Sequence, residues 1–239
     1  MNVELLRVAA SQNDVAVLYY EPRRPRGITI VAGHGYSSSK HNLDFLCSFL
    51  SAHGFGVYSL DFPGHKLGSS GGTLRGVEDC IDAYAAVVTF ARTQQSGPIY
   101  ALGHSMGAMT ALMTAALDFD IAGVVAIATG YGRPTALAAL ANMGATDFRA
   151  SYVVGVSLPE LVADIDVRYD RLLPALAGRP TLVVAAAHDG MVSPASVNEL
   201  FDRIPEPKTL ATIQSDHTSA GDHARSVVLS WLNELHPRG

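Results

Sequence analysis

The chain has 239 residues, of which 48% are hydrophobic and 16% charged, enough apolar material for a large buried core and for one domain spanning 1–239. A formal charge of −5, a pI near 5.9 and 17 scattered Lys and Arg argue against nucleic acid as a partner, because no basic stripe is present to neutralise phosphates. No apolar run reaches the roughly 20 residues of a membrane helix and the opening residues show no basic-then-apolar leader, so a cytoplasmic protein without stable membrane insertion is expected.

VELLRVAA and DVAVLYYE read as an opening antiparallel pair, turned at SQND where Asn13 and Asp14 suit a tight bend. From residue 27 the pattern changes to short apolar runs: ITIVAG, GVYSLD, PIYALGH, IAGVVAIAT, PTLVVAAA and KTLATI. They alternate little between polar and apolar, as parallel strands buried on both faces should. Helical patterns at about 42 to 53, 75 to 95, 105 to 116, 193 to 203 and 219 to 235 separate them, several opened by Asn, Thr or Ser caps. Cys47 and Cys80 fall in such patterns and read as unpaired core residues, which suits a reducing compartment. The sum is an α/β fold, a mainly parallel twisted sheet of about eight strands flanked by helices. From Tyr131 to Gly178 the rhythm breaks, and the helical patterns there predict a small inserted cap at 131–178.

PIYALGHSMGAMTALMTAA reads as strand, sharp turn and helix, with Ser105 at the turn. It matches the nucleophile elbow GxSxG, in which Gly103 and Gly107 flank His104, Ser105 and Met106. Side chains at the two glycine positions would collide with the neighbouring strand or helix. The helix N-terminus at Ser105 favours a developing oxyanion, with the Met106 backbone N–H as one donor.

A serine hydroxyl needs a base, and the base needs an orienting carboxylate. In this architecture the chain order is Ser, then acid, then His. Asp189, just past the strand TLVVAAA, is the acid candidate. SDHTSAGDH after the last strand offers His217 and His223, and His217 is preferred because it lies in the strand-to-helix loop. His53 and His236 are misplaced for the role and read as surface residues. The turn in VAGHGYSSSKHN places a second oxyanion donor at the Tyr36 backbone N–H, with Gly35 forming the turn and His34 bracing the loop. The Tyr36 phenol is left open as a substrate or oxyanion contact. Asp61 and His65 invite a metal reading, but no metal-ligand spacing accompanies them, so neither metal nor cofactor is expected. Asp61 reads as a tie for its loop.

GHGYSSSKHN, LDFPGH, GHSMG, HDGMVSP and SDHTS, in this order over most of the chain, resemble the α/β-hydrolase superfamily. Within it the resemblance is to the esterase, lipase and serine-aminopeptidase-like branch that includes monoacylglycerol lipases and cinnamoyl esterases. Two departures stand out: FPGHK replaces the family's usual RGHG loop, and Asp216 stands where Gly usually precedes the histidine. The resemblance implies acyl transfer to water, with an acyl-enzyme on Ser105, His217 as base, Asp189 as its orienter, and the Tyr36 and Met106 amides on the oxyanion. The expected partner is a small to medium, largely apolar acyl substrate, since the predicted cap is rich in Ala, Leu, Val, Met and Tyr. The expected bond is a carboxylic ester, although a thioesterase, amidase or carbon–carbon bond hydrolase would use the same triad. A homodimer stays open, as do a ligand-binding protein with negligible turnover and an acyltransferase on this scaffold.

Overall fold

A computed structural model of the chain describes residues 1–142 and 149–237. One eight-stranded sheet runs in the order β1-β2-β4-β3-β5-β6-β7-β8. Its strands are β1 (Asn2–Ala9), β2 (Asp14–Glu21), β3 (Thr29–Gly33), β4 (Gly56–Leu60), β5 (Ile99–His104), β6 (Ile121–Ile127), β7 (Thr181–Ala186) and β8 (Lys208–Ile213). The opening hairpin joins antiparallel, β1 on β2 and β2 on β4, and every later pairing is parallel.

The lack of alternation in β3 to β7 has a direct cause, because successive side chains enter two separate cores; β8, expected to be buried on both faces, is instead an edge strand that buries only Ile213. Val31, Ala101, Val124, Ala126, Val183 and Ala185 pack on one face. Ile30, Ala32, Leu102, Val125, Leu182 and Val184 pack on the other. Helices α2 (Val77–Gln94) and α3 (Met106–Leu117) cover the first face. Helix α1 (Asp44–Ala52) covers the second through Leu46, Cys47 and Leu50. The inserted span holds α4 (Arg133–Asn142), α5 (Leu158–Leu161) and α6 (Ile165–Leu172), while 143–148 of the expected 131–178 cap lie outside the described residues. Helix α7 (Pro194–Arg203) connects β7 to β8, and α8 (Ala220–His223) and α9 (Arg225–Leu235) close the chain. In α9, Val228, Trp231 and Leu232 join the core of α1, each such side chain contributing about 1.5–3 kcal/mol of burial.

Two local expectations are corrected. The closing helix breaks at Ala224 instead of running unbroken from 219. Of the five helices predicted from the pattern, only α7 is capped by a side chain, Ser193 accepting from the Ser196 N–H. Ser105 directs its hydroxyl to His217 and so cannot cap α3, and at the start of α8 the carboxylate of Asp216 takes the Ser219 N–H instead. Among the described residues no helix is long and apolar enough to cross a membrane.

Candidate active site

Ser105 sits between the end of β5 and the start of α3 with φ 53° and ψ −116°. A non-glycine residue there costs about 1–3 kcal/mol and needs its surroundings to hold it. Its N–H donates to the Ile127 carbonyl at 2.8 Å, and its own carbonyl accepts from the Ala108 and Met109 amides at 3.0 and 3.1 Å. The flanking glycines permit the approach: a Cβ on Gly103 would run into the Gly107 backbone, and one on Gly107 into the backbone of Gly33 and His34.

The loops after β7 and β8 bring two further groups to this turn. His217 Nε2 lies 3.1 Å from Ser105 Oγ, and its Nδ1 lies 2.7 Å from Asp189 Oδ2. Asp189 accepts on its other oxygen from the Met191 and Val192 amides at 2.8 and 2.7 Å. Burial pushes the Asp189 carboxyl up, but the hydrogen bond and charge of His217 and the two amides outweigh it, holding it below the usual carboxylate range. An ionised Asp189 requires the Nδ1–H tautomer of His217, which leaves Nε2 free to accept the serine proton. The alternative base, His223, is exposed at the end of α8. His53 and His236, expected at the surface, are half-buried, His53 bonded to the Phe49 carbonyl and His236 to the Tyr100 hydroxyl.

His104 does more than fill a motif position. Its Nε2–H donates to the His217 carbonyl at 2.8 Å, and burial, then the neighbouring His217, pulls its pKa down to about 4. A neutral imidazole thus anchors the backbone of the histidine that faces Ser105.

The Met106 amide is the first of α3, where the helix supplies no acceptor. The Tyr36 loop is braced from beneath. The Phe62 amide donates to His34 Nε2 at 3.1 Å, so Nδ1 carries the proton and donates to the Gly35 carbonyl at 2.7 Å. Burial, then the neighbouring His65, lowers the His34 pKa to about 3. Lys40 and Asp61 form a buried ion pair at 2.5 Å, and Asp61 also accepts the Lys40 and Ser69 amides at 2.7 Å each. Burial raises the Asp61 carboxyl, but the lysine and the amides overcome this and keep it ionised. The Tyr36 phenol donates to the Val156 carbonyl at 3.0 Å.

A cavity of about 450 Å³ opens over Ser105. Its walls come from the Gly35–Ser38 turn, from Met106 and Met109, from α4, α5 and α6, and from Met191 and Val192. Among the described residues no three His, Cys, Asp or Glu side chains gather as metal ligands would.

The model of the alpha/beta hydrolase family matches residues 30–236. The chain belongs to this family. An esterase from Pyrococcus furiosus is 20% identical, the match covering 98% of this chain and 90% of that one at a TM-score of 0.73. Est1E from Butyrivibrio proteoclasticus, solved with ferulic acid bound, is 17% identical over 96% and 97% of the two chains at 0.74. A serine hydrolase without lid from Xanthomonas campestris is 18% identical over 100% and 97% at 0.72. At these identities the likeness is one of fold. No curated protein sequence matches.

Two residues at the site of this alpha/beta hydrolase have a role that no motif assigns. Lys40 stands in an ordinary polar loop, and only the buried Asp61 beside it gives it a role. Arg133 is 8% exposed and lines the cavity. Its signal in the sequence is that no other charge occurs between residues 121 and 146.

Proposed function

We propose that this alpha/beta hydrolase is a serine esterase that cleaves a carboxylic ester or thioester of a small to medium, largely apolar acyl substrate. The observation that carries the reading is the relay from Ser105 Oγ to His217 at 3.1 Å and from His217 to Asp189 at 2.7 Å, at the floor of a cavity of about 450 Å³. In this reading His217 Nε2 takes the Ser105 proton as Oγ attacks the acyl carbonyl. Asp189 stabilises the resulting imidazolium, and the Tyr36 and Met106 amides receive the charge on the carbonyl oxygen. His217 then protonates the leaving alcohol or thiol. Water, deprotonated by the same nitrogen, cleaves the acyl-enzyme and releases the acid.

The span 131–178 serves as a cap, since Leu158, Val162, Ile165 and Tyr169 from its helices supply apolar wall opposite Ser105. Esterases among the structural neighbours support the choice of bond. Labelling with a fluorophosphonate and hydrolysis of short p-nitrophenyl esters test the reading together. Ser105→Ala is expected to abolish labelling and to lower kcat by about a million-fold. Hydrolysis undiminished in that variant would sink the serine mechanism, and absence of labelling in the folded wild type would favour a binding protein.

A further inference from the structure

The cavity wall has an asymmetry that ester hydrolysis does not explain. Among the described residues it carries two arginines, Arg133 and Arg149, and no carboxylate. Arg149 is exposed, its guanidinium 5.7 Å over the Tyr152 ring. Arg133 is more than nine-tenths buried, and burial lowers its pKa, which measures how poorly its charge is solvated.

Arg133 Nη1 donates to the Met191 carbonyl at 2.5 Å, but no carboxylate of the described residues forms an ion pair with it. The acids whose charge it senses are engaged elsewhere. Asp189 spends one oxygen on His217 and the other on two amides, and Asp166 accepts from the Gly132 amide. The remaining guanidinium nitrogens do not figure among the buried groups left without a partner, so they reach accessible space, and the space that Arg133 lines is the cavity. A guanidinium has five donors in a planar fork that matches a carboxylate. Burying one without a counter-ion costs several kcal/mol, so retaining it in a wall shared with Met106, Met109, Leu158, Val162 and Ile165 and holding no carboxylate calls for an anion.

We infer that the substrate supplies that anion: Arg133 is the specificity residue for an ester that carries a free carboxylate, such as a half-ester of a dicarboxylic acid, with the apolar wall holding the chain between the two groups. This rests on the esterase reading and names its substrate class.

The test compares monomethyl esters of succinic, glutaric, adipic and suberic acids with neutral methyl esters of the same chain length. Acetyl esters of hydroxy acids place the carboxylate on the alcohol side instead. In the wild type the best anionic ester is expected to exceed its neutral counterpart in kcat/KM by about 10- to 100-fold, the range of a charge-assisted hydrogen bond. In Arg133→Met that ratio collapses toward one through KM, and Arg133→Lys restores part of it. A wild type without preference overturns the inference. So does an Arg133→Met variant that loses activity on both classes with the ratio intact, since Arg133 would then serve only to brace the Met191 turn. Should Arg133→Met not fold, adipate is expected to inhibit the wild type competitively where adipamide does not, and equal inhibition refutes. If no ester is hydrolysed at all, the esterase reading fails, and calorimetry with adipate decides the subsite alone, binding supporting it and no binding overturning it.

Discussion

Asp189→Asn is expected to lower kcat by about ten-thousand-fold, and the reason lies in the two amides on the far side of the carboxylate. Oδ1 of Asp189 accepts from the Met191 and Val192 N–H groups at 2.8 and 2.7 Å, while Oδ2 accepts from His217 Nδ1–H at 2.7 Å. An asparagine must place its single oxygen toward the two amides, because its NH2 there would face two donors with no acceptor. The NH2 then points at His217 Nδ1 and holds the ring in the Nε2–H tautomer. That proton faces Ser105 Oγ across 3.1 Å, and the base can no longer take the serine proton. Reaching the productive tautomer sets N–H against NH2 at a buried position, and ten-thousand-fold corresponds to about 5.5 kcal/mol of barrier. Steady-state hydrolysis of p-nitrophenyl butyrate measures kcat, and the rate of fluorophosphonate labelling reports activation of Ser105 without deacylation. Both should fall together with the fold intact. A variant within about 10-fold of wild type would refute the argument that the Met191 and Val192 amides dictate the tautomer.

Tyr36→Phe keeps the backbone N–H and removes the bond to the Val156 carbonyl, so kcat/KM should fall by less than about 10-fold; a loss of 100-fold or more would assign the phenol to the oxyanion instead. Gly107→Ala drives a Cβ into the Gly33 and His34 backbone and should cost about 3 kcal/mol or more in thermal unfolding, an unchanged Tm contradicting the close packing. His104 is held neutral down to about 4 and His34 to about 3, against 6.5 when unfolded. Between those values the unfolded chain binds protons that the folded one does not, so stability is full above pH 6.5 and falls toward pH 4. His104 alone accounts for roughly 3 kcal/mol of that loss, and equal urea midpoints at pH 7.5 and pH 4.5 would contradict it.

The middle of the sheet was legible because β3 to β7 bury both faces, which turns them into runs such as TLVVAAA that no helical period fits. Ser105, Asp189 and His217 were nameable because each follows a strand, and chain order and strand ends are written in one dimension. What the sequence withheld is tertiary. Lys40 looks like a solvated loop residue until Asp61, placed beside it by β4, takes its ammonium out of water. The role of His104 depends on the His217 backbone, which is remote in sequence. Asp216, a departure from the family pattern, caps the turn after His217 through the Ser219 amide, work that a glycine could not do.

The inserted span is fastened to the site more firmly than the word cap conveys. At its start the Tyr131 amide donates to the Ser196 carbonyl of α7 at 2.9 Å, while the Gly132 amide ties the span to itself through Asp166 at 3.0 Å. Further along, Val154 and Val156 exchange backbone hydrogen bonds of 2.8–2.9 Å with Gly64 and Leu74. Those two residues belong to the loop that Asp61 begins, and Asp61 in turn holds Lys40 in the turn that follows Tyr36. The Tyr36 phenol closes the circuit by bonding to Val156. The Tyr36 loop, the Gly64–Leu74 loop and the middle of the inserted span therefore form one hydrogen-bonded ring beside Ser105. Because the ring passes through Tyr36, substitutions that loosen Val154 or Val156 should disturb the placement of its amide as well as the cavity wall. On the proposed reading, binding and transition-state stabilisation would share these supports, so the specificity proposed for Arg133 is better probed by the ratio of two substrates than by the rate on either one.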